Sequence, residues 1–398
     1  MNKTGYHRKL KVYLGEILKN LNMTKLKLTN INLKGYKSIN NSGQSIPIGD
    51  ITILLGANGA GKSNFISFFQ MLNFMTTGAL QTYIGQSGYS DSILFLGSKT
   101  TTRLDAEITF SDSKSTDKYY FSLSHAAGDT MIFTEETLSW QLHNNPKPFK
   151  ISLDPGVKES SLHEYCKKTD ATVGRVILKL LKNCRVFQFH DTSKEAKIRN
   201  SGYINDGDFL RSNGGNLAAF LYAIKNQKDG EKYYNRIVRY IKMAMPQFND
   251  FVLNPSVRND NYIMLNWVEN ESDYLFGPHQ ISDGSLRFMA LTTLLLQPPN
   301  TMPSVIILDE PELGLHPSAI SLLAGMVKTA SQNSQIILAT QSTRLIDEFE
   351  TKDVVIVERD SKERCSIFNK LDEEKLSDWL ERYCMSELWE KNVIGGRP

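Results

Sequence analysis

Two short runs of residues have the types and spacing to handle a nucleoside triphosphate. Gly56-Ala57-Asn58-Gly59-Ala60-Gly61-Lys62-Ser63 has the form G-x-x-x-x-G-K-S. In that form the glycines leave backbone N–H groups open to wrap phosphate oxygens, the lysine reaches the β/γ-phosphates, and the hydroxyl ligates Mg²⁺. Asn64 continues into an expected helix whose N-terminal partial charge adds to the anion site. The second run is Val305-Ile306-Ile307-Leu308-Asp309-Glu310. Four apolar residues followed by two acids are how a buried strand delivers carboxylates to a phosphate. Asp309 is expected to hold Mg²⁺, directly or through water, and Glu310 to orient and deprotonate the attacking water. A strand ending in Asp-Glu is common by itself; downstream of a phosphate loop it becomes specific.

The elements that must position these residues are legible around them. Ile51-Thr52-Ile53-Leu54-Leu55 is a β-branched apolar run that reads as a buried strand leading into the loop. Ile281–Leu296 reads as a helix capped by Ser282 and stopped by Pro298-Pro299, and its first N–H groups form a second anion site. Beyond it, apolar strands at 304–308, 335–339 and 353–357 alternate with helices at 317–330 and 343–349, which argues for a parallel sheet covered on both faces. Upstream, residues 102–110, 118–124 and 131–142 alternate apolar and polar as half-exposed antiparallel strands do, and Pro146, Pro148 and Pro155 mark a linker. Residues 171–184, 205–223 and 231–245 read as helices, with a short strand at 185–189. The expected segments are a basic extension at 1–23, the first part of a nucleotide-binding head at 24–145, a mainly helical insertion at 146–270, and the second part of the head at 271–398.

The 398 residues, 40% hydrophobic and 22% charged, are those of a soluble globular protein with room for one composite domain or two. No apolar run reaches membrane-span length, no secretion signal is evident, and Cys166, Cys184, Cys365 and Cys384 lack C-x-x-C spacing. A cytoplasmic protein with reduced thiols is expected. The net charge of +3 is uneven: residues 1–49 hold nine Lys or Arg against one acid, Glu16. Such an arm can be a footprint for nucleic acid, but a solvated terminal segment, or an extension upstream of a second start at Met23, is the commoner case.

The order of phosphate loop, Ile281-Ser282-Asp283-Gly284-Ser285 helix start, Asp309-Glu310-Pro311-Glu312 and Thr340-Gln341-Ser342 resembles the ABC-type ATPase heads of the SMC/RecF superfamily. More closely it is similar to AAA-family ATPases related to RecF and to the OLD ATPase domain, from Lys25 to the end of the chain. The resemblance implies an α/β P-loop NTPase fold with a mixed central sheet, an antiparallel β subdomain and a helical insertion. It also implies that residues 281–285 are the signature loop, with Ser282 and the Gly284 backbone meeting the γ-phosphate held by a partner subunit. Residues 312–317 would be the D-loop. Gln341 would stand at the switch position, where it can hydrogen-bond phosphate or water but carries no proton charge, so slow turnover is expected. Gln86 is the candidate for the Q-loop glutamine near the metal.

Other features carry less. His190-Asp191 with Ser193 lacks a nucleophile elbow, and 189–193 and 215–219 resemble subgroup features without an evident chemical role. His279 and His316 have no metal-ligand spacing. Val354–Glu358 could end in a nuclease carboxylate, but too little chain follows for a Toprim domain. No heptad repeat supports coiled-coil arms. The implied cofactors are ATP and Mg²⁺, and the implied assembly is a head-to-tail homodimer around ATP. The first functional expectation is a sensor or scaffold ATPase in defence against phage or plasmids, with a separate nuclease or toxin as effector. A RecF-like clamp on DNA and a slow nucleotide-dependent regulator are the alternatives.

Overall fold

The computed structural model describes residues 26–145, 147–168 and 170–397. The basic extension at 1–23, with Lys25, Pro146 and Pro398, lies outside them. The chain divides into two compact units that do not follow the four expected segments. One comprises residues up to Ile48, Gln70–Asn183 and Ser361–Cys365; the other comprises Gly49–Phe69, Cys184–Asp360 and Ser366–Pro398.

The first unit is built on a six-stranded antiparallel sheet. Its strands are β1 (Lys27–Lys34), β2 (Gln44–Pro47), β4 (Arg103–Ser111), β5 (Ser115–Ala126), β6 (Thr130–Leu142) and β7 (Phe149–Ser152), in the order β2-β1-β4-β5-β6-β7. Strict alternation puts Leu104, Ala106, Ile108 and Phe110 on the buried face of β4, opposite Leu123, Phe121, Tyr119 and Asp117 of β5. The Asp112 carboxylate accepts the N–H groups of Lys114 and Ser115, both at 2.7 Å, and closes the β4–β5 hairpin. β7 occupies the stretch expected to be a linker. Its place at the sheet edge tolerates the flanking prolines, because an edge strand leaves half its backbone groups outside the ladder. Helix α2 (Leu80–Gln86) and helix α3 (Thr172–Lys182) belong to this unit.

The second unit carries a mixed sheet in the order β17-β16-β3-β15-β14-β8. Here β3 is Ile51–Leu55, β8 Cys184–Phe187, β14 Val305–Asp309, β15 Gln335–Thr340, β16 Val354–Arg359 and β17 Ser366–Lys370. All pairings are parallel except that of β17 with β16. Every residue of β15 is buried, and its centre, Ile336–Ala339, is accordingly apolar without a period of two. Helices α6 (Asp283–Leu296) and α7 (Pro317–Ala330) pack in the same core, with ten residues of α6 buried. Helix α1 (Lys62–Met75) starts in this unit and runs past its boundary at Phe69.

The stretch expected to be a mainly helical insertion is mixed. It holds α4 (Leu217–Asn226), α5 (Glu231–Ala244) and two small antiparallel sheets, β10 (Phe248–Val252) with β13 (Asn266–Glu269), and β9 (Gly202–Tyr203), β11 (Pro255–Ser256) and β12 (Asn259–Ile263). The helix expected over 205–223 begins only at Leu217. The buried Asn216 side chain donates to Asp206 O and Phe209 O, both at 2.8 Å, and accepts from Arg211 N–H, which folds residues 206–216 into a loop. Among the described residues the longest helices have 14 residues, too short for coiled-coil arms. None is long and apolar enough to cross a membrane. Two short helices, α8 (Glu373–Leu380) and α9 (Met385–Glu390), close the unit.

Candidate nucleotide site

The phosphate loop leaves the end of β3 and enters α1 at Lys62. A Cβ at Gly56 would run into the Val357 carbonyl of β16, so the neighbouring strand dictates glycine there. Asn58 and Gly59 are exposed at the crown, Ala57 is half-buried, Ala60 and Gly61 are buried, Ser63 is exposed and Asn64 half-buried. The loop is also held from outside. Ala57 N–H donates to Gly396 O at 3.0 Å, and the Ser366 hydroxyl donates to Ala60 O. Lys62 is buried and its Nζ donates to Gly56 O at 2.6 Å and Ala57 O at 3.0 Å. Burial pulls the ammonium below the ordinary lysine range, and Glu310, Asp309 and Glu312 act against that shift. Those three carboxylates and Lys62 therefore share one electrostatic neighbourhood.

Asp309 ends β14, and its Oδ1 is buried without a hydrogen-bond partner among the described residues. Such an oxygen asks for a cation or an ordered water. Glu310 follows with φ of 41°, in the left-handed region that side chains adopt at a cost. Its N–H donates to Ala339 O at 2.8 Å, and the preceding carbonyl, Asp309 O, accepts from His190 Nε2 at 2.8 Å. Glu312 is half-buried, with Oε2 shielded from solvent. Burial raises its carboxyl above the usual range, and the Thr340 hydroxyl, donating to Oε1, works against that. Thr340 ends β15 and accepts Ser342 N–H at 2.9 Å, which turns the chain at Gln341, a half-buried residue. An Mg²⁺ ion is what a phosphate loop implies. The donor set fits it: the orphaned Asp309 oxygen and the exposed Ser63 hydroxyl are oxygen ligands of the kind Mg²⁺ takes alongside phosphates and water.

The helix start at 281–285 is built as its sequence predicts. Ser282 caps α6, its Oγ accepting Ser285 N–H at 3.2 Å and donating to Ser285 Oγ at 2.8 Å. Gly284 packs so closely on the 312–317 loop that a Cβ would strike the Gly314 carbonyl. Ser282 and Asp283 are exposed. Gln86 is the exposed last residue of α2 in the first unit.

Three side chains that shape this region have no role that sequence alone assigns. Arg199 is buried and donates to Thr192 O (2.7 Å), Pro278 O, Ile281 O (3.0 Å) and the Asp283 carboxylate (2.7 Å). Arg287, one turn into α6, donates to Phe189 O (3.2 Å), His190 O (2.8 Å) and Leu313 O (3.0 Å). His190 lies in a stretch singled out by resemblance, and its ring reaches the end of β14. Its neighbours Asp191 and Ser193 bond each other, at 2.7 Å, as a local turn. His316 caps α7 through Ser318 N–H.

Residues 51–347 match the family described as "AAA domain, putative AbiEii toxin, Type IV TA system". No curated protein matches the sequence. Among solved structures the chain is similar to an SMC head bound to the C-terminal winged-helix domain of ScpA, with 15% identity, a TM-score of 0.55, and coverage of 88% of this chain and 99% of that one. It is likewise similar to the Pyrococcus furiosus SMC head with an extended coiled coil bound to the C-terminal domain of ScpA, with 15% identity, a TM-score of 0.54, and coverage of 90% and 99%. At that identity the likeness is one of fold. The family match spans the phosphate loop, the helix capped by Ser282, the Asp309-Glu310 strand and the Thr340 turn, and the chain belongs to this AAA-domain family, with a fold like that of SMC heads.

Proposed function

We propose that this chain hydrolyses ATP in a head-to-tail homodimer, and that it serves in the cytoplasm as the sensor or scaffold of a defence system against phage or plasmids. The observation that carries the chemistry is the shared electrostatic neighbourhood of Lys62, Asp309, Glu310 and Glu312. In this reading the N–H groups of residues 57–64 and the start of α1 take the phosphates, and the Lys62 ammonium moves from the Gly56 and Ala57 carbonyls to the β/γ-phosphates. Ser63 and Asp309 hold Mg²⁺. The ion neutralises phosphate charge. Glu310 orients the attacking water and takes its proton; Gln341 hydrogen-bonds the same water or the γ-phosphate without charge, which favours slow turnover. Ser282 and the Gly284 backbone act on the nucleotide of the second copy. The defence role is supported by the family description, which names a toxin of a type IV TA system. The effector, a nuclease or toxin, is a separate protein.

The test is Glu310→Gln, which removes the base and keeps the shape. At saturating Mg-ATP this variant should accumulate as an ATP-bound dimer in light scattering, and a persistent monomer would refute the pairing. A second reading, a DNA clamp, is favoured by the basic face of α5, where Lys232 and Arg236 lie 5.2 and 5.9 Å from the Tyr233 ring. It requires ATP-dependent DNA affinity that falls steeply with salt.

A further inference from the structure

The peptide group that joins Asp309 to Glu310 is gripped at both ends. Its N–H donates to Ala339 O on β15, as the parallel ladder continues on that side. Its carbonyl faces the other side, where the ladder has run out. The register between β14 and β8 stops at Leu308 with Phe187, and the next residue, Gln188, turns its N–H away to Ser212 O at 2.8 Å. The donor that β8 no longer supplies comes from a side chain, His190 Nε2, at 2.8 Å. A carbonyl only accepts, so the imidazole proton is on Nε2.

The backbone of the next residue makes the grip consequential. Glu310 sits at φ of 41°, a state that a glutamate holds only where its surroundings over-determine it. Rotating the Asp309–Glu310 peptide is the simplest way to relax that state, and it would break both bonds at once. The grip is also connected. The His190 carbonyl accepts from Arg287 Nη2 at 2.8 Å, while Nη1 of the same guanidinium reaches Leu313 O at 3.0 Å in the 312–317 loop. One side chain on the signature helix thus fixes the residue that fixes the peptide before Glu310.

We infer that His190 is the positioning residue for Glu310: it holds the Asp309–Glu310 peptide so that the carboxylate keeps one direction, and through Arg287 it ties that direction to the start of α6. This rests on the reading of Glu310 as the base in ATP hydrolysis.

Three variants of the full chain separate the outcomes. His190→Ala removes the donor. His190→Gln places an amide Nε2 the same number of bonds from Cα, and His190→Asn places its amide too short. In His190→Ala, kcat at saturating Mg-ATP should fall roughly 10- to 100-fold, the scale of a misplaced reacting group. The Kd of a fluorescent ATP analogue should stay within about twofold, because phosphate binding is left intact. Gln should restore most of kcat and Asn little. An unchanged kcat in His190→Ala, a parallel loss of rate and affinity, or Gln no better than Ala would overturn the inference. A crystal structure of nucleotide-free His190→Ala supplies a readout independent of activity. Glu310 should leave positive φ, and a φ still near its present value overturns the inference even if the wild type never hydrolyses ATP. A relaxed φ together with an inactive wild type would instead sink the ATPase reading alone.

Discussion

Replacing Arg199 with methionine removes the anchor of the helix start at 281–285 while keeping the bulk of its side chain. The side chain is 6% exposed and its guanidinium makes four bonds, three to main-chain carbonyls and one to Asp283, whose side chain is 65% exposed. Asp283 can recover water when the arginine is gone, so its contribution to stability is small. The carbonyls of Thr192 and Ile281 recover less, and Pro278 O keeps only a long bond from Ile281 N–H at 3.4 Å, so each weakened acceptor costs about 1 kcal/mol or more. The expected loss is therefore about 3 kcal/mol, at the lower edge of the range for removing one partner of a buried charge. Denaturant unfolding should show that loss, and hydrogen exchange of residues 278–286 should speed up. Arg199→Lys keeps the charge but only part of the fork, so it should fall in between. The pH dependence has a definite sign. The Arg199 hydrogen bond, with others, holds the Asp283 carboxyl below its usual range, so the pair's contribution is present above the ordinary carboxylate pKa and is lost as pH falls through the lowered one. Arg199→Met should lose this acid limb. A destabilisation under about 1 kcal/mol with unaltered exchange in 278–286 would refute the anchoring role.

Gly284→Ala should push the start of α6 off the Gly314 carbonyl, at about 1–3 kcal/mol by overpacking; combined with Glu310→Gln it should shift the ATP-dependent dimer to monomer in light scattering. Asp117→Asn tests the first unit. Burial between Phe110 and Trp140, with Asp112 adding repulsion, pushes its carboxyl up to about 7. The folded form then keeps a proton that the unfolded form has released, so stability falls as pH rises from about 4 to about 7 and is level above that. The window corresponds to at most about 4 kcal/mol. The asparagine variant should lose the slope and exceed the wild type above neutral pH in thermal melts across that range.

The features legible in the sequence are contiguous ones. The phosphate loop, the Val305–Glu310 strand and the Ser282 cap each encode their geometry within a few residues, so type and spacing suffice. Arg199 is invisible there because its partners are mainly backbone carbonyls as many as 82 residues away, and a carbonyl has no residue type. His190 stands out by resemblance yet without a role, since its acceptor, Asp309 O, is again main chain, 119 residues on. The loop over 206–216 reads as helix because what folds it is again a set of main-chain partners: Asn216, at the N-cap position of the next helix, turns its amide back to Asp206 O and Phe209 O. Residues 149–152 pair with β6 despite the prolines at 148 and 155 because an edge position accepts such neighbours.

The supports of the phosphate loop bear on the order in which the protein comes into being. The Ala60 carbonyl waits for Ser366, 306 residues downstream, and the Ala57 amide for Gly396, later still. On the ribosome the loop is made early but stays unbuttressed through most of synthesis. The fully supported form of the loop is then a property of the finished second unit, reached only after residue 396 has been made.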